Sequence, residues 1–405
     1  MKNICLNMIV RNCATTIEKT LESVAGVVDY YVIVDTGSED DTIETIKNKM
    51  KELGIEGELH ERVWKGFGPS RDEAFRLALG KAKYILFIDS DEEMKYTSDE
   101  IFKDLTEDFY ELYVCDGICR WERQLLVRAD SENSQLFRWK NDVHNVFTHT
   151  TGDYKHGGVL EGVSIQSFRT KTGKSYGITS YDKFMKDART LRTKLIETND
   201  TRSCFYLAQS YRDAGEPELA LKYYLHRADM GGTYVGEIYC AMVEAANLLA
   251  SLRYPYDEYQ SLLLDAFNKK PDRGEALYWL ARNARIQGNY AQAHMYAKHA
   301  SKIKEPPSGV FINLAIHRFL IFDELSISSY YLDEKEDCLS ATTRVMEFLI
   351  DEERRSMIKI LPEVEARLLD NARLNIKKFL SADVDAKPTA SQILNTLKVA
   401  NEKEA

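Results

Sequence analysis

Five consecutive apolar residues, Tyr84-Ile85-Leu86-Phe87-Ile88, run without a turn residue into Asp89-Ser90-Asp91-Glu92-Glu93. A short segment that is apolar at every position predicts a strand buried on both faces of a parallel sheet. Side chains alternate along an extended backbone, so Asp89 and Asp91 share a direction, roughly 7 Å apart at Cα, with the small Ser90 between them. Two carboxylates placed this way suit a hard cation such as Mg²⁺ or Mn²⁺, leaving other coordination positions to water and a substrate's phosphates. A lone Asp-x-Asp is also what a solvated acidic loop looks like. The flanking chain decides between the two.

Upstream, residues 4–10 predict a buried strand and Thr15–Val24 a helix after the polar Arg11-Asn12 turn. Residues 30–34 predict a second strand ending in Asp35-Thr36-Gly37-Ser38, and Asp40 or Asp41 caps a helix running to Leu53. Residues 57–63 follow as a strand, Pro69–Lys81 as a helix, and Tyr84–Ile88 as the fourth strand. Strands and helices alternating at this spacing make a parallel sheet covered on both faces. Ligands of such sheets bind beyond the carboxyl ends of the strands, where Asn7, Asp35 and Asp89–Asp91 converge. From Phe109 to Phe168 short aromatic and β-branched runs predict mixed or antiparallel strands that complete the sheet and the second half of a cleft.

The polar segment Arg169–Gly177 marks a domain boundary, and the chain beyond it reads as helical. Phe205, Ala208, Tyr211, Gly215, Ala220, Tyr224 and Ala228 occupy the small and aromatic positions of a tetratricopeptide-like helix pair. Ala281, Gly288 and Ala293 repeat Ala208, Gly215 and Ala220 at a constant offset (288 − 215 = 73), leaving room for one degenerate unit across Ile238–Pro271. Pro306-Pro307 ends the run, and a further pair near Tyr330–Ile350 has lost its glycine. The expected organisation is an α/β domain over 1–175, a helical repeat domain over 176–380 and a C-terminal tail over 381–405. Repeat arrays present surfaces to protein partners. The apolar stretch Phe311–Leu325 fits either a buried inner helix or a self-association face, the latter giving a homodimer through the helical domain.

Seven scattered cysteines, odd in number, fit reduced thiols better than a disulfide framework, and a net charge of −10 argues against a general nucleic-acid surface. No apolar run approaches a membrane span and no leader pattern opens the chain, so a cytoplasmic protein is expected.

Four segments acquire a specific meaning together: Leu6-Asn-Met-Ile-Val-Arg-Asn12, Val34-Asp-Thr-Gly-Ser-Glu-Asp-Asp-Thr42, Trp64-Lys-Gly-Phe-Gly-Pro-Ser-Arg-Asp72 and Phe87-Ile-Asp-Ser-Asp-Glu92. They resemble family 2 glycosyltransferases of the GT-A fold, a Rossmann-like, mostly parallel sheet, and most of all the branch that appends tetratricopeptide-like helices. The match runs through about the first 95 residues, then weakly through Arg138-Trp139 and Val143-His144. The resemblance implies transfer of a sugar from a nucleotide diphosphate, usually UDP, to a glycan, protein or small-molecule acceptor, with inversion and with Mn²⁺ or Mg²⁺. By position it puts Asn7 and Asp35 at the base or ribose, Arg71 near the uridine or diphosphate, Asp89 and Ser90 at the ribose, and Asp91 with Asp89 at the metal.

Two departures from the family stand out. His144-Asn145 replaces a common His-Glu, and Gln166-Ser167 stands where a late histidine is usual. His144, His149 and His156 are candidates for a third metal ligand, His144 preferred. Asp142 is the candidate base for deprotonating the acceptor, with Asp116, Glu122 and Glu161 as competitors. These departures also support a rival, a catalytically weak nucleotide-binding scaffold that recruits partners through its repeats. A nucleotidyltransferase is disfavoured because Asn7–Thr16 lacks the glycines of a phosphate loop.

Overall fold

The computed structural model describes residues 2–167 and 179–404, except 357, 359, 383 and 386; the expected boundary segment 169–177 lies outside the described residues. The chain divides into two units, one of Met1–Asp116, Trp121–Glu197 and Asp213–Gly215, the other of Gly117–Arg120, Thr198–Arg212 and Glu216–Ala405.

The first unit opens with the expected alternation: β1 (Ile4–Val10), α1 (Ile17–Val24), β2 (Tyr30–Asp35), α2 (Thr42–Glu52), β3 (Glu56–Glu61), α3 (Phe67–Ala78) and β4 (Tyr84–Phe87). β3 stops two residues early: Arg62 N still donates to Asp35 O (2.9 Å), and Val63 then turns into solvent. α3 starts two residues before Pro69, which then occupies its first turn, where a missing N–H costs nothing. The strands β5 (Glu92–Tyr96), β6 (Phe109–Asp116), β7 (Cys119–Arg128) and β10 (His156–Ser167) complete the sheet in the order β3-β2-β1-β4-β7-β6-β10-β5. β1 runs parallel to β2 and β4, and β2 to β3, whereas β7 is antiparallel to β4. The fold class is therefore the expected one, a mostly parallel α/β sheet domain followed by helices.

Strand order turns back between β1 and β4: β2 and β3 lie on one side of β1, β4 on the other. Such a switch point opens a crevice at the carboxyl ends of its two strands. Tyr84, Ile85 and Leu86 are fully buried and Phe87 nearly so, which holds β4 in register and delivers Asp89–Asp91 to that crevice. A second small sheet pairs β8 (Phe137–Lys140) with β9 (Val146–His149), and its Phe137, Trp139 and Phe147 pack into the same core. α4 (Ser180–Thr198) belongs to this unit except for its last residue, burying Ala188, Leu191 and Leu195.

The second unit stacks helices in antiparallel pairs: α5 (Thr201–Ala214, its last two residues counted with the first unit) with α6 (Pro217–Asp229), α7 (Val235–Ser251) with α8 (Tyr256–Lys269), α9 (Glu275–Ile286) with α10 (Tyr290–Ala300), and α11 (Ile321–Leu332) with α12 (Lys335–Ile350). Ala208, Ala220, Ala281 and Ala293, the positions that repeat in the sequence, are all fully buried, as close approach of two helix backbones requires. Each pair turns on one left-handed residue: Gly215, Arg253, Gly288 and Asp333. The lost glycine of the last pair is thus replaced by an aspartate, one of the few residues that tolerate this region. Before α11, β11 (Ile312–Asn313) pairs with Cys119 and Arg120, and Arg120 donates to Pro306 O and Pro307 O, which seats the Pro-Pro break inside this unit.

Within Phe311–Leu325, Leu314, Ile316, Phe319 and Ile321 are buried inside the unit, together with residues of α12, α14 (Pro362–Leu380) and α15 (Ala390–Glu404). This burial removes the reason for a two-fold contact there, and the inner-helix reading is the one the packing supports. The short α13 (Glu352–Ser356) links α12 to α14. The 381–405 segment forms α15 from Ala390 and buries Ile393, Leu394 and Leu397.

At Gly288 (φ +76°) a side chain is strained whatever the space around it. Gly288→Ala is expected to cost about 1 kcal/mol, a Tm loss of about 2–4 °C for a unit this size. Asp333→Gly is expected to stay within about 0.5 kcal/mol, since relief of its left-handed backbone offsets only an exposed ion pair with Lys378. Thermal unfolding of the two variants checks both.

Candidate active site

The acidic tip of β4 closes on itself as a tight turn. Glu92 N donates to Asp89 O (3.0 Å), and Asp89 N donates to Glu92 Oε2 (2.9 Å). Arg71, in the second turn of α3, forms an ion pair with Asp89, and its guanidinium lies 5.1 Å from the centre of the Trp139 ring. Arg123 of β7 comes from the other side, 3.5 Å from Asp89 Oδ2 and 2.6 Å from Glu92 Oε1. The strand register explains it: Tyr84 faces Arg128 and Leu86 faces Leu126, so continuing the ladder brings Arg123 opposite Asp89.

Charge states follow from this geometry. Burial works against the Asp89 carboxylate, but Arg71 and Arg123 outweigh it and hold the group below the usual aspartate range. Burial and the Asp89 charge push Glu92 up, while Arg123 opposes them. An always-charged guanidinium at 2.6 Å marks an ion pair, and we read Glu92 as its anionic partner. Asp91 differs from both. Burial, then the like charges of Asp89 and Glu92, push its carboxyl up to about 6, and Lys183 of α4 only partly offsets them. Two arginines are thus balanced by Asp89 and Glu92, and among the described residues the third carboxylate has no ion pair, only the more distant Lys183.

α3 owes its placement to close contacts around its N-terminus. Gly66 precedes it with φ +110°, and a Cβ there would lie 2.6 Å from Asp142 Oδ1. A Cβ on Gly68 would lie 2.7 Å from Asn141 O. The 141–145 turn therefore packs on the glycines of Trp64-Lys-Gly-Phe-Gly-Pro. It is held by Asn145 Nδ2 donating to Asn141 O and by Lys194 Nζ of α4 donating to Asn141 Oδ1 (2.7 Å). Trp139 N donates to Asp72 Oδ1 (3.1 Å) and Arg76 donates to Phe137 O, tying the β8–β9 sheet to α3. Arg71 Nε and Trp139 Nε1 are buried without a hydrogen-bond partner among the described residues.

The expected site residues separate into groups. Arg71, Asp89, Ser90 and Asp91 come together at the switch point. Asp142 is exposed beside Gly66 at the start of α3. Asn7 is buried and spends its amide on Val32 O and Ala74 O, both at 3.0 Å, tying β2 to α3. Asp35 is also buried, and its carboxylate accepts from Gly37 N, Ser38 N and Ser38 Oγ, so it builds the 35–38 turn. Among the described residues no group of three or more His, Cys, Asp or Glu has metal-holding geometry, so exposed His144 does not join Asp89 and Asp91 in one. His149 is engaged by Asn133 and Thr151, and His156 stacks on Phe109 and lies 3.6 Å from Glu111. The sequence reading missed Arg123 entirely and gave Glu92 no role.

Residues 5–154 match the sequence model of glycosyl transferase family 2. No curated protein matches the chain. Solved structures similar to part of it include MamA (13% identity, TM-score 0.34, 44% of this chain and 98% of that one). They also include YrrB, titled a TPR protein with an unusual peptide-binding site (15%, 0.35, 53% and 94%), and a thermophilic TPR protein of Thermus thermophilus (16%, 0.31, 43% and 88%). No helix among the described residues is long and apolar enough to cross a membrane.

The Asp91 carboxyl sets a pH dependence. A carboxyl whose folded pKa lies above its unfolded value binds a proton on folding, so its contribution is most favourable at low pH. That contribution is lost between the ordinary aspartate value of about 4 and about 6. Without divalent cations, Asp91→Asn is expected to match the wild type near pH 4 and to exceed its Tm above pH 6. Melting curves across pH 4–7 check the crossover. A second expectation concerns Gly68→Ala, which displaces the Asn141 carbonyl and costs about 1–3 kcal/mol, read by chemical denaturation.

Proposed function

We propose that this chain, whose residues 5–154 match glycosyl transferase family 2, moves a sugar from a UDP-sugar to a hydroxyl-bearing glycan, protein or small-molecule acceptor, with inversion and with Mn²⁺ or Mg²⁺. The observation that carries the reading is the Asp91 carboxylate, which has no ion pair among the described residues, beside Arg71 and Asp89 at the switch point of the sheet. A hard cation fits that donor chemistry: one protein carboxylate, with water and phosphate oxygens completing the shell, is an ordinary Mg²⁺ environment. Asp91 would hold the ion, with Asp89 next to it but already shared by two guanidinium groups. When bound, the ion would neutralise charge on the departing diphosphate.

The chain's own residues supply the rest. Arg71 lies near the N-terminus of α3, the positive end of the helix, and would bind the diphosphate or uridine. Trp139 backs Arg71 and keeps its guanidinium plane in place. Asp35 and Asn7 act through structure in this reading: Asp35 shapes the turn against which a nucleoside would lie, and Asn7 locks the strand beneath it. Asp142, exposed at the mouth of α3, would accept the acceptor's proton. His144 is left without a metal role.

Calorimetric titration of UDP with and without Mn²⁺, followed by assay of hydrolysis and transfer from a panel of UDP-sugars, tests the proposal. Asp91→Asn is expected to abolish the Mn²⁺-dependent part of UDP binding with the fold retained. Wild-type and variant binding alike would remove Asp91 from the site. UDP binding with neither hydrolysis nor transfer would favour the nucleotide-binding scaffold.

A further inference from the structure

The turn that carries Asp91 is held by side chains outside the Asp-Ser-Asp motif. Glu92 is 5% exposed and anchors the turn three ways: its N–H to Asp89 O, its Oε2 to Asp89 N, and its carbonyl to Thr20 Oγ1 of α1 at 2.7 Å. Its remaining oxygen, Oε1, accepts from Arg123 Nη1 at 2.6 Å. The same guanidinium reaches Asp89 Oδ2 at 3.5 Å, opposite the side approached by Arg71. A four-residue turn bearing three carboxylates would otherwise spread under its own repulsion, and Asp91 lies within it.

The geometry points to Glu92 and Arg123 as a positioning pair of the donor site, which clamps the Asp89–Glu92 turn and so fixes the direction of the Asp91 carboxylate. The inference rests on the reading of the strand tip as that site. The pair is suited to orient a metal-binding group because Glu92 directly follows Asp91 and bonds back to the Asp89 backbone, while Arg123 holds the Asp89 carboxylate. Substitutions of such supporting groups typically cost about 10–100-fold in metal affinity.

The test is calorimetric titration of UDP into the full chain, with and without Mn²⁺, for wild type, Glu92→Gln, Arg123→Gln and the double variant. Glu92→Gln keeps an oxygen for Asp89 N and loses the charge that holds Arg123. Each single variant is expected to lose about tenfold of the Mn²⁺-dependent tightening, with metal-free UDP affinity unchanged. The double variant is expected to lose no more than the worse single one, as a pair acting together requires. Full Mn²⁺ tightening in either single variant, or an equal loss with and without Mn²⁺, overturns the inference. If the Gln variants do not fold, Glu92→Asp, which keeps the charge on a shorter arm, is expected to show an intermediate loss, and unchanged tightening there also overturns it. A wild type that does not bind UDP at all overturns the donor-site reading and this inference with it, whereas binding by the wild type with unaffected variants overturns only the latter.

Discussion

Asp89 stands between two guanidinium groups from segments far apart in the chain, Arg71 at the start of α3 and Arg123 on β7, and the arrangement of the first unit's crevice depends on that sharing. β4 is apolar enough to be buried at every residue, yet the chain leaves it through three carboxylates within four positions. Charges of one sign at the edge of a low-dielectric core are costly unless cations meet them. Leaving one member of a buried pair unmatched typically costs about 3–5 kcal/mol, and the figure here belongs at or below the low end because Arg123 and Asp89 keep some exposure. The two arginines therefore fasten α3 and β7 to the strand tip as well as setting its charge. They neutralise two of three carboxylates, and the remaining carboxyl, Asp91, is pushed up by burial and by its two acidic neighbours.

The helical unit handles buried charge in the same way for a purely structural end. Arg273 and Glu275 are nearly inaccessible and pair at 2.6 Å, and Tyr239 donates to Glu275 from the neighbouring helix pair. Burial works against the Glu275 carboxylate, but Arg273 and His317 outweigh it and hold the group far below its usual range. Arg273 also donates to Val310 O and Phe311 O, the backbone that follows the Pro-Pro break. An interrupted repeat run leaves carbonyls with no helical partner, and a buried guanidinium with several fixed donors satisfies them. Arg227 with Glu237 repeats the device one helix pair earlier.

What could be read directly from the chain was whatever depends on local periodicity. The apolar runs at 4–10, 30–34 and 84–88 are strands because side-chain burial on both faces needs no knowledge of neighbours, and the constant spacing of Ala208, Gly215 and Ala220 with their copies marks helix pairs because backbone approach requires small residues there. The acidic tip and Arg71 were legible as well, since a strand end and a helix start are both places where chemistry is exposed. Asn7 and Asp35 show the limit of that logic. Their position on the strands was correctly read, but whether a polar side chain faces a ligand or bonds to its own scaffold depends on which carbonyl or N–H lies within about 3 Å.

Arg123 carries no local signal at all. It is one charged residue in a half-polar strand, and its meaning comes from the antiparallel insertion of β7 beside β4, whose register sets Arg123 against Asp89. The apolar Phe311–Leu325 stretch was ambiguous for the same reason, because a hydrophobic helix face looks alike whether it meets another helix of its own chain or a second copy. The sequence by itself therefore determined the element types, the parallel half of the sheet, the repeat pairs and the acidic strand tip, all of which follow from side-chain spacing over a few residues. Only the tertiary structure decided which charges are matched, which polar groups are spent on the scaffold and which carboxylate is left over, because those depend on distances between segments that the chain's order does not encode locally.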